Sequence, residues 1–280
     1  MTTQTTTTTR PITWNDAARS PRFINTLVSE WSKLTTLRST YITLGLGVAL
    51  SIATTALVAL AVGNTIDDWR AADREKFDPL MFSMAGNIFL LIVYPVFGVL
   101  AASSEYSSGM IRLTLTATPK RGRVLLAKLL LVTSVTMVLG LITVVGMFLV
   151  GQAVLGAYGV PVADFGDAGS WRVVLGLGAV TPLFAVIGLA LGVILRSASG
   201  AITTVLGIVW LPVIFEPLLP MWWQENVLSL LPGPAVDSLT IGHVVDSPTY
   251  SDPVVGAAVA VAWLLAFIGG AYVVLLRRDA

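Results

Sequence analysis

The chain has 280 residues, 55% hydrophobic and only 12% charged, with 17 Lys and Arg against 16 Asp and Glu, 25 Gly and no Cys. A soluble domain carries about 25% charged residues and needs polar side chains to cover its surface, so composition excludes an ordinary soluble enzyme and a disordered chain. Balanced charge excludes a nucleic-acid binder, which needs a basic excess for the phosphate backbone, and the lack of Cys excludes disulfides, thiolate metal sites and cysteine nucleophiles.

What remains is an all-α polytopic membrane protein. In chain order, residues 1–20 hold the polar run Thr2 to Thr9 and read as a disordered tail. The first 40 residues lack the apolar core of a signal peptide, so the first span is expected to act as its own signal-anchor. Ser20-Pro21 reads as an N-cap with Pro at the first helical position, opening a helix over 21–40. Phe23, Leu27, Trp31, Leu34 and Tyr41 share one face of it, which Glu30 and Arg38 interrupt. Such a segment suits the membrane interface; a plain extension of the first span is the alternative.

A span of about 30 Å of hydrocarbon needs roughly 20 mostly apolar residues. Six stretches qualify, near 41–63, 80–102, 125–155, 171–195, 200–219 and 254–276. The third exceeds what a span requires, and Pro212, Pro217 and Pro220 interrupt the second half of the fifth. Lys and Arg mark the cytoplasmic side. Thirteen fall on one side: Arg10, Arg19, Arg22, Lys33 and Arg38 before the first span, Arg112, Lys120, Arg121, Arg123 and Lys128 around the second loop, then Arg196, Arg277 and Arg278. Four fall on the other: Arg70, Arg74, Lys76 and Arg172. Both termini are therefore expected inside.

Within the second loop, 103–124, Met110, Leu113 and Ala117 fall on one face of a short helix. Thr118-Pro119 then breaks it and opens the next helix. A short helix across the end of two spans suits docking into a partner's groove; an ordinary topology-fixing basic loop is the alternative. Inside the spans, Gly188 and Gly192 make a GxxxG pair that permits close helix packing and reads as a dimer face; the alternative is that Gly is simply common in membrane helices. Glu216 is the one acidic residue late in a span and the only candidate there for a relay. The outer loop, 221–253, carries Trp222-Trp223 at headgroup level. Its His243 is the only histidine, so it reads as a solvated loop residue and not a metal ligand, and a lone histidine argues against a hydrolase. None of the four Lys follows Gly and precedes Ser or Thr in the manner of a P-loop. The chain itself is therefore not expected to hydrolyse ATP, and no catalytic or metal residue is expected here.

The second loop resembles the signature of the ABC-2 type transporter permeases. Its residues are Glu105, Tyr106, Gly109, Ile111-Arg112, Pro119, Arg121 and Lys128. Upstream, Glu30, Trp31, Lys33 and Arg38 resemble the connecting helix before the first span. Leu231-Pro232-Gly233-Pro234-Ala235 resembles the outer loop of actinobacterial-type members. The resemblance implies a coupling helix seated on a separate ATPase subunit, which would bind the ATP and Mg. By that resemblance Glu105, Tyr106, Gly109, Met110, Arg112, Pro119, Arg121 and Lys128 would form that contact. Arg112 and Arg121 would pair with carboxylates of the partner, while Glu105 would accept from a partner base or pair with Lys128 within the chain. It further implies a second permease chain, as a homodimer, contact with membrane lipids and none with nucleic acid. The function expected is ATP-driven export of an amphipathic or lipid-like compound across the cytoplasmic membrane. A permease conferring immunity to peptide antibiotics, and an ATP-independent secondary carrier or scaffold, are the alternatives.

Overall fold

The computed structural model describes residues 22–107, 109–110, 121–164, 166–240 and 247–277. Among them there is no strand, and six helices are long and apolar enough to cross a membrane. The chain is an all-α, multi-pass membrane protein. Helix α1 (Phe23–Thr36) is followed by the first span, α2 (Arg38–Thr65). Two short helices, α3 (Ala71–Glu75) and α4 (Pro79–Ser83), lead to the second span, α5 (Asn87–Ser107). The third and fourth spans are α6 (Arg121–Ala157) and α7 (Ala168–Leu195), and the fifth is α8 (Ala198–Phe215). Short helices α9 (Met221–Asn226) and α10 (Pro232–Thr240) precede the last span, α11 (Pro253–Arg277).

Helix α7 is the axis of the bundle. Its most apolar stretch is 83% buried, against 17% for α8 and for α11, and it packs against α5, α6 and α11. Glycine makes this contact close. A Cβ on Gly188 would strike the carbonyl oxygen of Pro95 on α5, and one on Gly98 of α5 would strike the carbonyl of Ala185 on α7. A Cβ on Gly192 would lie 2.9 Å from the carbonyl oxygen of Val99. The GxxxG pair is thus spent inside the chain, on the seam between α5 and α7, and is not a face offered to a second copy.

The second span departs from the sequence reading, which began it at Leu80 and ended it at Ala102. The chain first forms α4, capped by Asp78, whose carboxylate accepts from the Leu80 amide at 2.8 Å, and turns before restarting at Asn87. Polar side chains hold this break. The Gln152 amide of α6 donates to Ser83 Oγ (2.9 Å) and Pro79 O (3.1 Å), and its oxygen accepts from the Ala163 amide at 2.7 Å. The Thr55 hydroxyl of α2 accepts from the Gly86 amide at 3.1 Å. Nearby, Trp69, Phe77 and Phe82 pack ring to ring, with centroids 5.1–6.1 Å apart, over Ala59, Val62, Leu155 and Val160.

Helix α6 has 37 residues, about 55 Å at 1.5 Å per residue, and so extends well past a bilayer core. The fifth span runs through Pro212 and ends at Phe215 in a 3-10 turn, Glu216–Leu218, where Pro217 can no longer supply a helical N–H. The segment after it folds back against the bundle. Trp263 donates its indole N–H to Leu230 O at 2.8 Å, ten residues into α11, roughly 15 Å along its axis. Cβ positions on Gly256 and Gly176 would meet Ala235 and Thr240 of α10. A 3-10 turn, Leu228–Leu230, leads into α10. His243 lies outside the described residues.

Candidate functional site

Helix α1 ends at Thr36, and Leu37 takes an extended conformation (φ −82°, ψ 116°) that separates it from α2. The two helices are thus distinct bodies with a one-residue joint. The inward face of α1 is Thr26, Glu30 and Leu34, each four residues from the last and all buried. Of the apolar stripe expected to lead the packing, Leu34 is buried and Leu27 packs partly against the core, while Trp31 is 49% exposed beside exposed Ile24 and Val28. The Glu that interrupts the stripe in sequence is the residue that docks the helix.

Its partners come from two spans. Lys128, in the second turn of α6, places Nζ 2.7 Å from Glu30 Oε2 and 2.6 Å from Glu105 Oε1, the latter near the end of α5. It also donates to the Ala101 carbonyl at 3.2 Å, which accounts for the three donors of an ammonium. Lys33 of α1 places Nζ 2.6 Å from Glu30 Oε1 and 2.9 Å from Glu105 Oε1. The four residues close a ring of alternating charge with no net charge. Their side chains are 3% (Glu30), 6% (Glu105), 10% (Lys128) and 21% (Lys33) exposed. Burial makes the pairs interdependent: removing one member leaves an uncompensated charge out of water, at about 3–5 kcal/mol. The ring joins α1, the end of α5 and the start of α6.

The other singled-out residues sit around this ring. Tyr106 lies under the Arg196 guanidinium, 5.4 Å from its ring centroid. Arg196 closes α7 in the left-handed region, φ 53°, so this contact ties the end of α5 to the turn between α7 and α8. Gly109 has φ 70°, a conformation that favours Gly, and Met110 after it is 44% exposed. Arg121 reaches across to the last span and donates to Leu275 O at 2.9 Å, serving one of the carbonyls that a helix end leaves unpaired. Arg38 is exposed at the start of α2. Arg112 and Pro119 lie outside the described residues. Of the two partners open to Glu105 in sequence, the chain itself supplies one, Lys128. The Arg196–Tyr106 contact was not expected from sequence, and neither was the Gln152 staple, although Gln152 stands as an amide in an otherwise apolar run.

Residues 26–216, more than half of the chain, match the model of a family described as ABC-2 family transporter protein. The chain belongs to that family. No curated protein matches it. The ABC-2 match opens inside α1 and closes where α8 ends. All four members of the charged ring therefore fall within the ABC-2 region, as do the first five spans. Helices α9 to α11 lie beyond it. Membership makes the chain a permease, a membrane component of a transporter that works with a partner ATPase.

Proposed function

We propose that this chain is the membrane subunit of an ATP-driven exporter, placed in the cytoplasmic membrane with its basic end inside. A separate ATPase carries the ATP and Mg, and a second permease chain, a copy of this one, completes the pathway. The cargo is amphipathic or lipid-like, in keeping with an interior almost free of charge away from the ring. The contact for the ATPase is the loop from 103 to 124 together with α1.

The observation that carries this reading is the ring of Glu30, Lys33, Glu105 and Lys128. A loop that merely fixed topology would need only exposed positive charge. Here the helix before the first span is bolted to both spans that flank the loop. A displacement of either α1 or the loop reaches α5 and α6 together, and through the close α5–α7 seam it reaches the axis of the bundle. The direct test is purification of the intact permease and assay of the preparation for an associated ATPase. An ATP-hydrolysing chain should copurify, and Glu30→Gln should lower transport-linked ATP turnover while leaving insertion unchanged. Full turnover by a Glu30→Gln complex would remove the coupling role.

A further inference from the structure

Helix α7 passes into α8 through a very short turn. Arg196 has φ 53° and ψ 18°, and its amide donates to Gly192 O at 3.1 Å. Ser197 then caps α8 by accepting from the Gly200 amide at 3.3 Å. This left-handed slot after a helix favours Gly, because a Cβ crowds the backbone there. Gly109 and Gly159, the other described residues with positive φ, follow that preference. Arg196 does not. A side chain kept at a backbone cost points to a task for that side chain.

The place of the guanidinium identifies the task. It lies 5.4 Å from the centre of the Tyr106 ring, inside the range of about 6 Å for a cation over an aromatic face. Tyr106 directly follows Glu105, the α5 member of the charged ring. On the other side, Arg196 continues the seam between α5 and α7. A Cβ on Gly192 would lie 2.9 Å from Val99 O and 3.0 Å from Ala102 Cβ, so close packing reaches the last turn of α7. The Arg196–Tyr106 contact extends it by about one more turn of α5, to the level of the ring. Helix α8 gains most from this hold, since its most apolar stretch is only 17% buried.

We propose that Arg196 is a positioning residue for ATP coupling: stacked on Tyr106, it latches the turn between α7 and α8 to the end of α5, so that the axis helix and the fifth span follow the charged ring when the ATPase displaces it. The latch rests on the coupling reading given above.

The test measures ATP turnover by the intact permease–ATPase complex in liposomes. Arg196→Gly suits the left-handed slot and removes the guanidinium. It should lower kcat about fivefold, the effect of one partly exposed cation–π contact, with KM for ATP unchanged and the ATPase still copurifying. Tyr106→Leu should lower kcat to the same extent and the double variant no further, whereas Tyr106→Phe, which keeps the ring face, should stay within about twofold of the wild type. In detergent Arg196→Gly should unfold no earlier than the wild type, because Gly relieves the backbone. Wild-type kcat with Arg196→Gly, additive losses in the double variant, loss of the copurifying ATPase, or earlier unfolding in parallel with the fall in kcat would each overturn the proposal. Glu30→Gln, assayed alongside, separates the two readings. Slow turnover there with normal turnover for Arg196→Gly removes the latch and leaves the coupling reading standing; normal turnover in both removes both.

Discussion

Lys128 bears the largest share of the charged ring. It meets both carboxylates and a backbone carbonyl in a nearly closed setting. Lys128→Met should destabilise the chain by about 3–5 kcal/mol, because two buried carboxylates lose their shared cation; unfolding in detergent measures it. Arg38→Ala, at an exposed position, should move the same transition by no more than about 0.5 kcal/mol. A second residue-scale effect lies at the opposite end. Burial, with the Glu216 carboxylate nearby, pushes the Asp237 carboxyl up from 3.8 to about 6. The two acids line one cavity of about 100 Å³. A carboxyl raised on folding favours the folded state while protonated. Its contribution is fully present below about pH 4 and is lost as pH rises through about 6. Wild-type thermal stability should fall across that interval by a component that Asp237→Asn removes, as unfolding scans from pH 4 to pH 8 would show. Every member of the ring was legible in the sequence as an individual, since charge is scarce and four charged residues bordering apolar runs stand out. Of their pairings only Glu105–Lys128 was among the options read in sequence; the contacts of α1 were not, because Glu30 and Lys128 are brought together by the turn at Leu37 and by the packing of α1 on α6, neither of which periodicity encodes.

At the scale of the element, the seam between α5 and α7 decides how rigidly the bundle responds. Backbone carbonyls of each helix lie where a side chain of the other would begin, and neither backbone can withdraw without opening the core. Gly188→Ala should therefore cost about 1–3 kcal/mol, the range for forced overpacking. Gly269→Ala, whose new Cβ meets nothing within 4 Å, should be neutral or slightly stabilising through helix propensity. Side-by-side unfolding of the two variants separates packing from propensity. The GxxxG spacing pointed to close packing, but spacing cannot say which helix receives it. The start of the second span escaped hydropathy for a related reason. Residues 80–86 are apolar enough to continue one helix, yet the chain breaks between Ser83 and Asn87, where the Thr55 hydroxyl accepts from the Gly86 amide and Gln152 ties Pro79 O and Ser83 to α6.

At the scale of the molecule, the spans, their order and the long third helix were readable because about 20 apolar residues per crossing is a requirement of the bilayer itself. The Cys-free sequence allows the sidedness to be measured directly. A single Cys at Ser32, exposed on α1, should react with an impermeant maleimide only from the cytoplasmic face, and one at Glu75, exposed on α3, only from outside. The reverse pattern would invert the topology and with it the place of the ATPase. The coupling reading makes the ring one mechanical unit, so its members should act together on turnover by the permease–ATPase complex. The most direct measurement is a double-mutant cycle on ATP turnover, combining Glu30→Gln on α1 with Lys128→Met on α6. Coupling through the ring predicts a non-additive result, with an interaction energy of about 1 kcal/mol or more. Effects that add within about 0.5 kcal/mol would show that the two helices influence turnover independently and would contradict the account.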